Sequence, residues 1–103
     1  MMEYFKVIYA ILATFEAALD GPLDKEKVSA RYLNISDKRR VMLLLMLQDE
    51  GYIKGVKELK TPFVHEVNID NANITIKGLD YLENNSNMKR AYKALKEAAS
   101  FLK

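Results

Sequence analysis

The 103-residue sequence predicts one mostly helical α+β domain, in which three helices precede two strands and two further helices follow. Two observations support this order. Apolar residues recur at helical spacing before residue 50, whereas strand-forming residues dominate residues 52–70. The composition, 50% hydrophobic and 29% charged, is that of a globular protein rather than a disordered one.

The first helix is predicted from an apolar stripe. Its members, at three- and four-residue spacing, are Phe5, Ile8, Leu12, Phe15 and Leu19. Gly21 and Pro22 are expected to end this helix, Gly21 as a left-handed cap and Pro22 because proline cannot continue a helix.

A short second helix is predicted over residues 24–32, with Asp24 as its N-cap and with Val28 and Tyr32 on its inner face.

The third helix is predicted over residues 37–50. Ser36 is a good N-cap residue, and Asp37 suits the positive end of the helix dipole. Gly51 is expected to end the helix.

Two strands are predicted over residues 52–60 and 65–70, separated by a loop that contains Pro62. Val67 and Ile69 alternate in the second strand and should share one face.

The C-terminal part is predicted to form two helices. Thr75 would cap a short helix over residues 76–83, and Ser86 would cap a last helix over residues 87–103. We therefore expect a main domain over residues 1–85 and a C-terminal amphipathic helix over residues 86–103 that packs on it or extends it.

Three helices followed by a two-stranded hairpin are the arrangement of a winged helix-turn-helix. The second and third helices would form the helix-turn-helix, and the hairpin would be the wing. The predicted architecture is thus a three-helix core, a two-stranded wing and additional C-terminal helices.

Three segments carry a more specific resemblance. They are residues 8–12 (IYAIL), 49–56 (DEGYIKGV) and 74–86 (ITIKGLDYLENNS). Together they resemble the YjcQ-like family of small winged-helix proteins, found in Gram-positive bacteria and their prophages. The resemblance covers about residues 4–96 and implies the winged-helix fold.

The net charge of +2 is unevenly distributed. Residues 38–60 carry six basic and three acidic residues, and residues 87–103 carry five basic and one acidic residue. The segments 1–37 and 61–86 are net acidic. Clustered basic charge favours contact with nucleic acid, although such clusters also occur on solvated faces.

The candidate DNA-contacting residues lie at the start of the third helix and along the first wing strand. They are Lys38, Arg39, Arg40, Lys54, Lys57 and Lys60. The first turn of a recognition helix meets bases and phosphates, and a basic wing can follow the phosphate backbone. Strand alternation would place Lys54 and Lys60 on one face and Lys57 on the other. The alternatives are a solvated helix start and lysines that protect an edge strand.

The outward face of the third helix argues for a different role. Met42, Leu45 and Met46 would lie there, with acidic Asp49 beside them. Exposed apolar residues of this kind are typical of a protein interface. The alternative is that the last helix folds back and covers them.

The last helix is amphipathic, with a basic face opposite an apolar stripe that includes Met88, Tyr92 and Leu95. Such a helix could dock on its own domain, form a homodimer, or contact a partner protein, nucleic acid or a membrane surface.

No catalytic, metal-binding or cofactor-binding pattern is present in the sequence. The chain has no cysteine and one histidine, and its four glycines are scattered rather than grouped in a phosphate-binding loop. We expect a cytoplasmic, non-enzymatic protein without cofactor, small-molecule substrate or membrane insertion. The preferred hypothesis is a small, phage-related transcriptional regulator that binds double-stranded DNA. The alternative is a protein-interaction or dimerisation module that does not bind DNA.

Overall fold

The computed structural model describes the backbone of residues 2–85 and the side chains of residues 4–85. The predicted helix over residues 87–103, with its interface candidates Met88, Tyr92 and Leu95, lies outside the described residues.

Helix α1 comprises Met2–Ala17 and supplies three of the six largest fully buried side chains among the described residues, Ile11, Leu12 and Phe15. The helix ends earlier than predicted. From Ala18 to Asp20 the chain forms tighter turns, in which the amides of Leu19 and Asp20 bond to carbonyls three residues back. The prediction of a left-handed cap at Gly21 was wrong, since that residue has no positive φ. Leu19, which the sequence placed on the apolar stripe of this helix, lies beyond the end of the helix and is exposed.

The predicted second helix is divided in two. A 3-10 helix, Lys25–Val28, is followed by the short helix α2, Ala30–Leu33. Ser29 separates them because its backbone is extended and its hydroxyl accepts the amide of Tyr32, which makes it the N-cap of α2. This break rotates α2, so that Leu33 is buried and Tyr32, predicted to face inward, is exposed.

Helix α3, Asp37–Asp49, confirms the predicted third helix. The Ser36 hydroxyl accepts the amide of Arg39 at 3.1 Å, as expected of an N-cap. At the other end Gly51 adopts a left-handed φ of 84°, which turns the chain out of the helix.

The predicted strand over residues 52–60 is also divided, into β1 (Ile53–Lys54) and β2 (Lys57–Lys60). The break lies at Gly55, whose φ is 86°. A side chain at this position would collide with the backbone of Asn71, so that the chain can turn here only with glycine.

The four strands form two separate antiparallel pairs. Strand β1 pairs with β4 (Asn73–Ile74), a segment that the sequence did not predict to be a strand. Strand β2 pairs with β3 (His65–Asn68), and these two strands form the wing.

Helix α4, Ile76–Asn84, begins where the sequence predicted. The Thr75 hydroxyl accepts the amide of Gly78 and also donates to the carbonyl oxygen of Gly51, which joins the start of α4 to the end of α3.

The helices and the small β1–β4 sheet enclose one apolar core. Its most deeply buried side chains come from α1, the 3-10 helix, α3 and β1, and they are Ile11, Leu12, Phe15, Val28, Leu44 and Ile53. The architecture is therefore the predicted one, a mostly helical α+β winged helix with a two-stranded wing.

Candidate nucleic-acid interface

Two exposed cations stand at the amino end of α3. Lys38 and Arg39 occupy the first turn directly after the Ser36 cap. The guanidinium carbon of Arg39 lies 5.1 Å from the centre of the Tyr4 ring, a cation–π contact that holds the side chain against α1. The helix dipole adds positive potential at the same end, so an anion such as phosphate is favoured here.

Arg40 is placed differently from its two neighbours. Its side chain is only 17% exposed, Nη1 lies 3.7 Å from a carboxylate oxygen of Glu66, and Nε donates to the carbonyl oxygen of Val28 at 2.7 Å. Arg40 therefore ties α3 to the 3-10 helix on one side and to the wing on the other. In this conformation Nε and Nη1 of Arg40 face groups of the protein itself rather than solvent.

The outward face of α3 beyond its first turn is apolar and acidic. Met42 and Met46 are 47% and 55% exposed, and Asp49 is exposed beside them. Leu45, which the sequence placed on this face, is half-buried and packs against the core instead. Only the first turn of α3 thus offers cations to a ligand.

The wing exposes lysines on both of its faces. In β2, Lys57 and Lys60 lie on opposite faces, as predicted, and both are exposed. Lys54 is exposed too, but it belongs to β1. The prediction that Lys54 and Lys60 share one face of a single strand was wrong, because the chain turns at Gly55 and the two residues lie in separate strand pairs.

The wing carboxylates are held within the chain. Glu58 contacts His65 across the hairpin, with 2.6 Å between Oε2 and Nε2, and Glu66 faces Arg40. Lys57 and Lys60 have no such partner among residues 4–85. Within the described chain the charged side chains of the wing that lack a partner are therefore its two lysines.

Gln48 is a residue that sequence reasoning did not single out. Its side-chain amide donates to the carbonyl oxygen of Val56 at 3.0 Å and accepts the Val56 amide at 2.7 Å. One side chain thus satisfies both backbone groups at the break between β1 and β2, and it fixes the base of the wing to α3. A glutamine near the end of the helix was the only sequence signal.

Lys77 was likewise not predicted to have a role. Its ammonium group donates to the carbonyl oxygen of Glu50 at 2.7 Å and lies 4.9 Å from the centre of the Tyr52 ring. A cation at the carboxyl end of α3 stabilises the negative end of the helix dipole. Lys77 is therefore engaged with the protein itself.

Two groups near these elements have altered acidity. Lys25 forms an ion pair with Asp70, and this hydrogen-bonded contact lowers the pKa of the Asp70 carboxyl. Burial raises the pKa of the Tyr81 hydroxyl, and the nearby Tyr52, whose ring lies edge-on at 5.5 Å, raises it further. The Tyr81 hydroxyl is buried and has no hydrogen-bond partner among residues 4–85.

Neither a metal site nor a membrane span is found among the described residues. No three histidine or carboxylate side chains of this part converge in a way that could hold a metal ion. None of its helices has both the length and the apolar character required to cross a bilayer.

Comparison with known proteins adds one finding. The family model described as YjcQ protein matches residues 9–100. The chain belongs to the YjcQ family. The match includes all three segments that carry the resemblance in the sequence, apart from Ile8, and it extends through most of the C-terminal segment. Neither the curated proteins nor the solved structures yielded a match to this YjcQ chain.

Proposed function

We propose that this YjcQ-family protein binds double-stranded DNA through the first turn of α3 and the lysines of its wing. The observation that carries the proposal is the exposure of Lys38 and Arg39 at the capped amino end of α3, beside a wing whose lysines are also exposed. This is the end of a recognition helix that meets DNA in helix-turn-helix proteins.

The contact between Arg40 and Glu66 supports the same proposal. Arg40, in the first turn of α3, contacts Glu66 of the wing strand β3, which places the wing beside the amino end of α3. A ligand that meets Lys38 and Arg39 would then also lie near the wing.

The predicted mode of binding is chiefly electrostatic. The cations available to phosphates are Lys38, Arg39, Lys54, Lys57 and Lys60. Five phosphate contacts are the upper limit, since Lys57 and Lys60 lie on opposite faces of the wing. They would give log K a slope of about −4.5 against log salt, or a loss of roughly 500-fold between 50 and 200 mM salt. The apolar outer face of α3 offers few groups that read base edges, so we expect weak sequence preference from direct contacts.

Titration of a fluorescent random-sequence duplex at these two salt concentrations tests the proposal. Replacement of Lys38 and Arg39 together by alanine should remove two contacts, weaken binding at low salt at least tenfold, and reduce the slope by about 2. The control is the double variant Lys25→Ala and Arg31→Ala, which removes two cations that the fold already pairs with Asp70 and Glu26. Equal effects of the two double variants, or no binding by the wild-type protein at micromolar concentration, would contradict the proposal.

We further propose that the protein acts as a small, phage-related transcriptional regulator, that it performs no catalysis, and that it works in the cytoplasm. A reporter placed downstream of a DNA site selected from a random library would test regulation.

A second candidate function is supported by Met42 and Met46. Two exposed methionines one helical turn apart form a flexible apolar surface that suits a protein partner or a second copy of the chain. Sedimentation of the wild-type protein and of the double variant Met42→Ser and Met46→Ser tests this candidate. A concentration-dependent dimer that only the variant loses would support it, and a wild-type monomer at high concentration would exclude the homodimer.

A further inference from the structure

The tip of the wing carries an unusual apolar group. Phe63 is 94% exposed, more than the other exposed large apolar side chains of the described residues. Val64 and Leu59, about half exposed, belong to the same hairpin. A single exposed apolar side chain is common, but three on one short hairpin indicate a surface that becomes covered.

The turn that presents Phe63 is well held. The Thr61 amide donates to the carbonyl oxygen of Val64 at 2.7 Å. The Thr61 hydroxyl oxygen accepts the amides of Phe63 at 3.3 Å and Val64 at 3.0 Å, and Pro62 fixes one further backbone angle. Phe63 is thus displayed on a preorganised turn, which reduces the entropy lost when its ring inserts into a partner.

The charge around the tip favours an anionic partner. Lys60 immediately precedes the turn, and Lys57 lies further down the same strand, each without an ion-pair partner in the described part of the chain. The two wing carboxylates, Glu58 and Glu66, are in contrast engaged by His65 and Arg40.

The wing also brings its tip close enough to α3 for one DNA duplex to contact both. Glu66, on the wing face that carries Leu59, lies against Arg40 in the first turn of α3. Phe63 lies three residues from Glu66 and within a turn, so their Cα atoms are at most about 10 Å apart, the span of three extended residues. DNA held at the first turn of α3 would therefore present its backbone and the adjacent groove to the wing tip.

We propose that Phe63 is an apolar wedge that enters the minor groove, partly unstacks one base step and bends the duplex. This inference rests on the proposed DNA binding and specifies its mode. Apolar side chains that act in this way kink DNA at steps that deform easily, such as TA and CA/TG. The wedge would provide a preference for flexible steps that neither the lysines nor the apolar face of α3 supplies.

The experiment compares the wild-type protein with Phe63→Ala on duplexes that contain either a central TA step or a stiff A-tract. Energy transfer between dyes at the two DNA ends reports bending, and 2-aminopurine beside the step reports unstacking. The control is Ile76→Ala, which removes another apolar side chain, 85% exposed, from α4.

We expect the wild-type protein to bend the TA duplex and bind it more tightly than the A-tract. Phe63→Ala should bind the TA duplex about tenfold or more weakly, because it no longer buries an aromatic ring. It should also lose the bend and the TA preference, and keep the salt dependence set by the lysines. Ile76→Ala should behave as the wild-type protein does.

Each part of the proposal can fail separately. If the wild-type protein binds duplexes and Phe63→Ala bends them equally well, the wedge is refuted and the proposed function stands. If the wild-type protein binds no duplex, both are refuted. In that case, Phe63-dependent binding to vesicles of anionic phospholipid would assign the wing tip to a membrane surface instead.

Discussion

Replacement of Gly78 by alanine has two opposing effects on the free energy of unfolding, a gain in helix propensity and a loss from overpacking. Alanine stabilises a helix interior by about 1 kcal/mol relative to glycine, so propensity alone predicts a more stable protein. In this fold, however, a Cβ at residue 78 would lie 2.6 Å from Cγ1 of Ile74, and closer still to the carbonyl oxygen of Tyr52. That carbonyl oxygen also accepts the amide of Thr75 at 3.1 Å, so it cannot move away without loss of a bond.

The size of the effect follows from these contacts. Overpacking costs about 1–3 kcal/mol, and a clash with backbone places Gly78→Ala near the upper limit. After the gain in helix propensity is subtracted, we expect a loss of about 2 kcal/mol in the free energy of unfolding. This corresponds to a fall of about 10 °C in Tm for a domain of this size.

Urea unfolding followed by circular dichroism measures this loss. Gly21→Ala is the matched control, since a Cβ there meets nothing within 4 Å and the variant should match or slightly exceed the wild-type stability. A Gly78→Ala protein as stable as the wild type would refute the close approach of α4 to Tyr52.

Three further predictions concern single side chains. Gln48→Ala leaves both backbone groups of Val56 without partners and should lower the free energy of unfolding by about 2 kcal/mol in urea titrations, whereas an unchanged midpoint would contradict this bonding. Tyr81→Phe removes a buried hydroxyl that has no partner in the described part of the chain and should raise stability by about 1 kcal/mol. Burial raises the pKa of Tyr81 in the folded state, so the unfolded state ionises first and the stability of the wild type falls above about pH 10. Tyr81→Phe has no such group, and its alkaline melts should show a smaller decline than those of the wild type. Lys25 lowers the pKa of the Asp70 carboxyl, so this ion pair stabilises the fold above about pH 4 and ceases to do so as the pH falls through the lowered pKa. Asp70→Asn should therefore be less stable than the wild type at pH 7, and the difference should shrink in acid; a difference that stays constant with pH would argue against the pair.

The sequence predicted well those features that depend on neighbouring residues. The caps Ser36 and Thr75 both accept the amide three residues ahead, because capping is local chemistry. The stop at Gly51 was predictable for the same reason. The strand break at Gly55 was not, since it depends on the approach of Asn71 from a distant part of the chain.

In the candidate site, too, the sequence predicted what depends on neighbouring residues and not what depends on distant contacts. Lys38 and Arg39 are exposed because the first turn of a capped surface helix projects into solvent, which the pattern predicts. Arg40 follows them directly in the sequence and yet is engaged by Val28 and Glu66, and nothing local distinguishes it from its neighbours. Runs of basic residues therefore reveal where cations concentrate, but not which of them a fold uses for its own assembly.

The separation of the two small sheets has a consequence for how the length of the wing can vary. Hydrogen bonding in the β2–β3 pair does not continue into the β1–β4 pair, so residues added at the outer end of the hairpin leave the core sheet unchanged. One added cross-strand pair would extend the wing by about 3.3 Å and turn the tip to the opposite face, and two pairs would extend it by about 6.6 Å and restore its direction. The reach of the wing is therefore a property that insertion or deletion can alter in steps of two residue pairs, at little cost to the helical core.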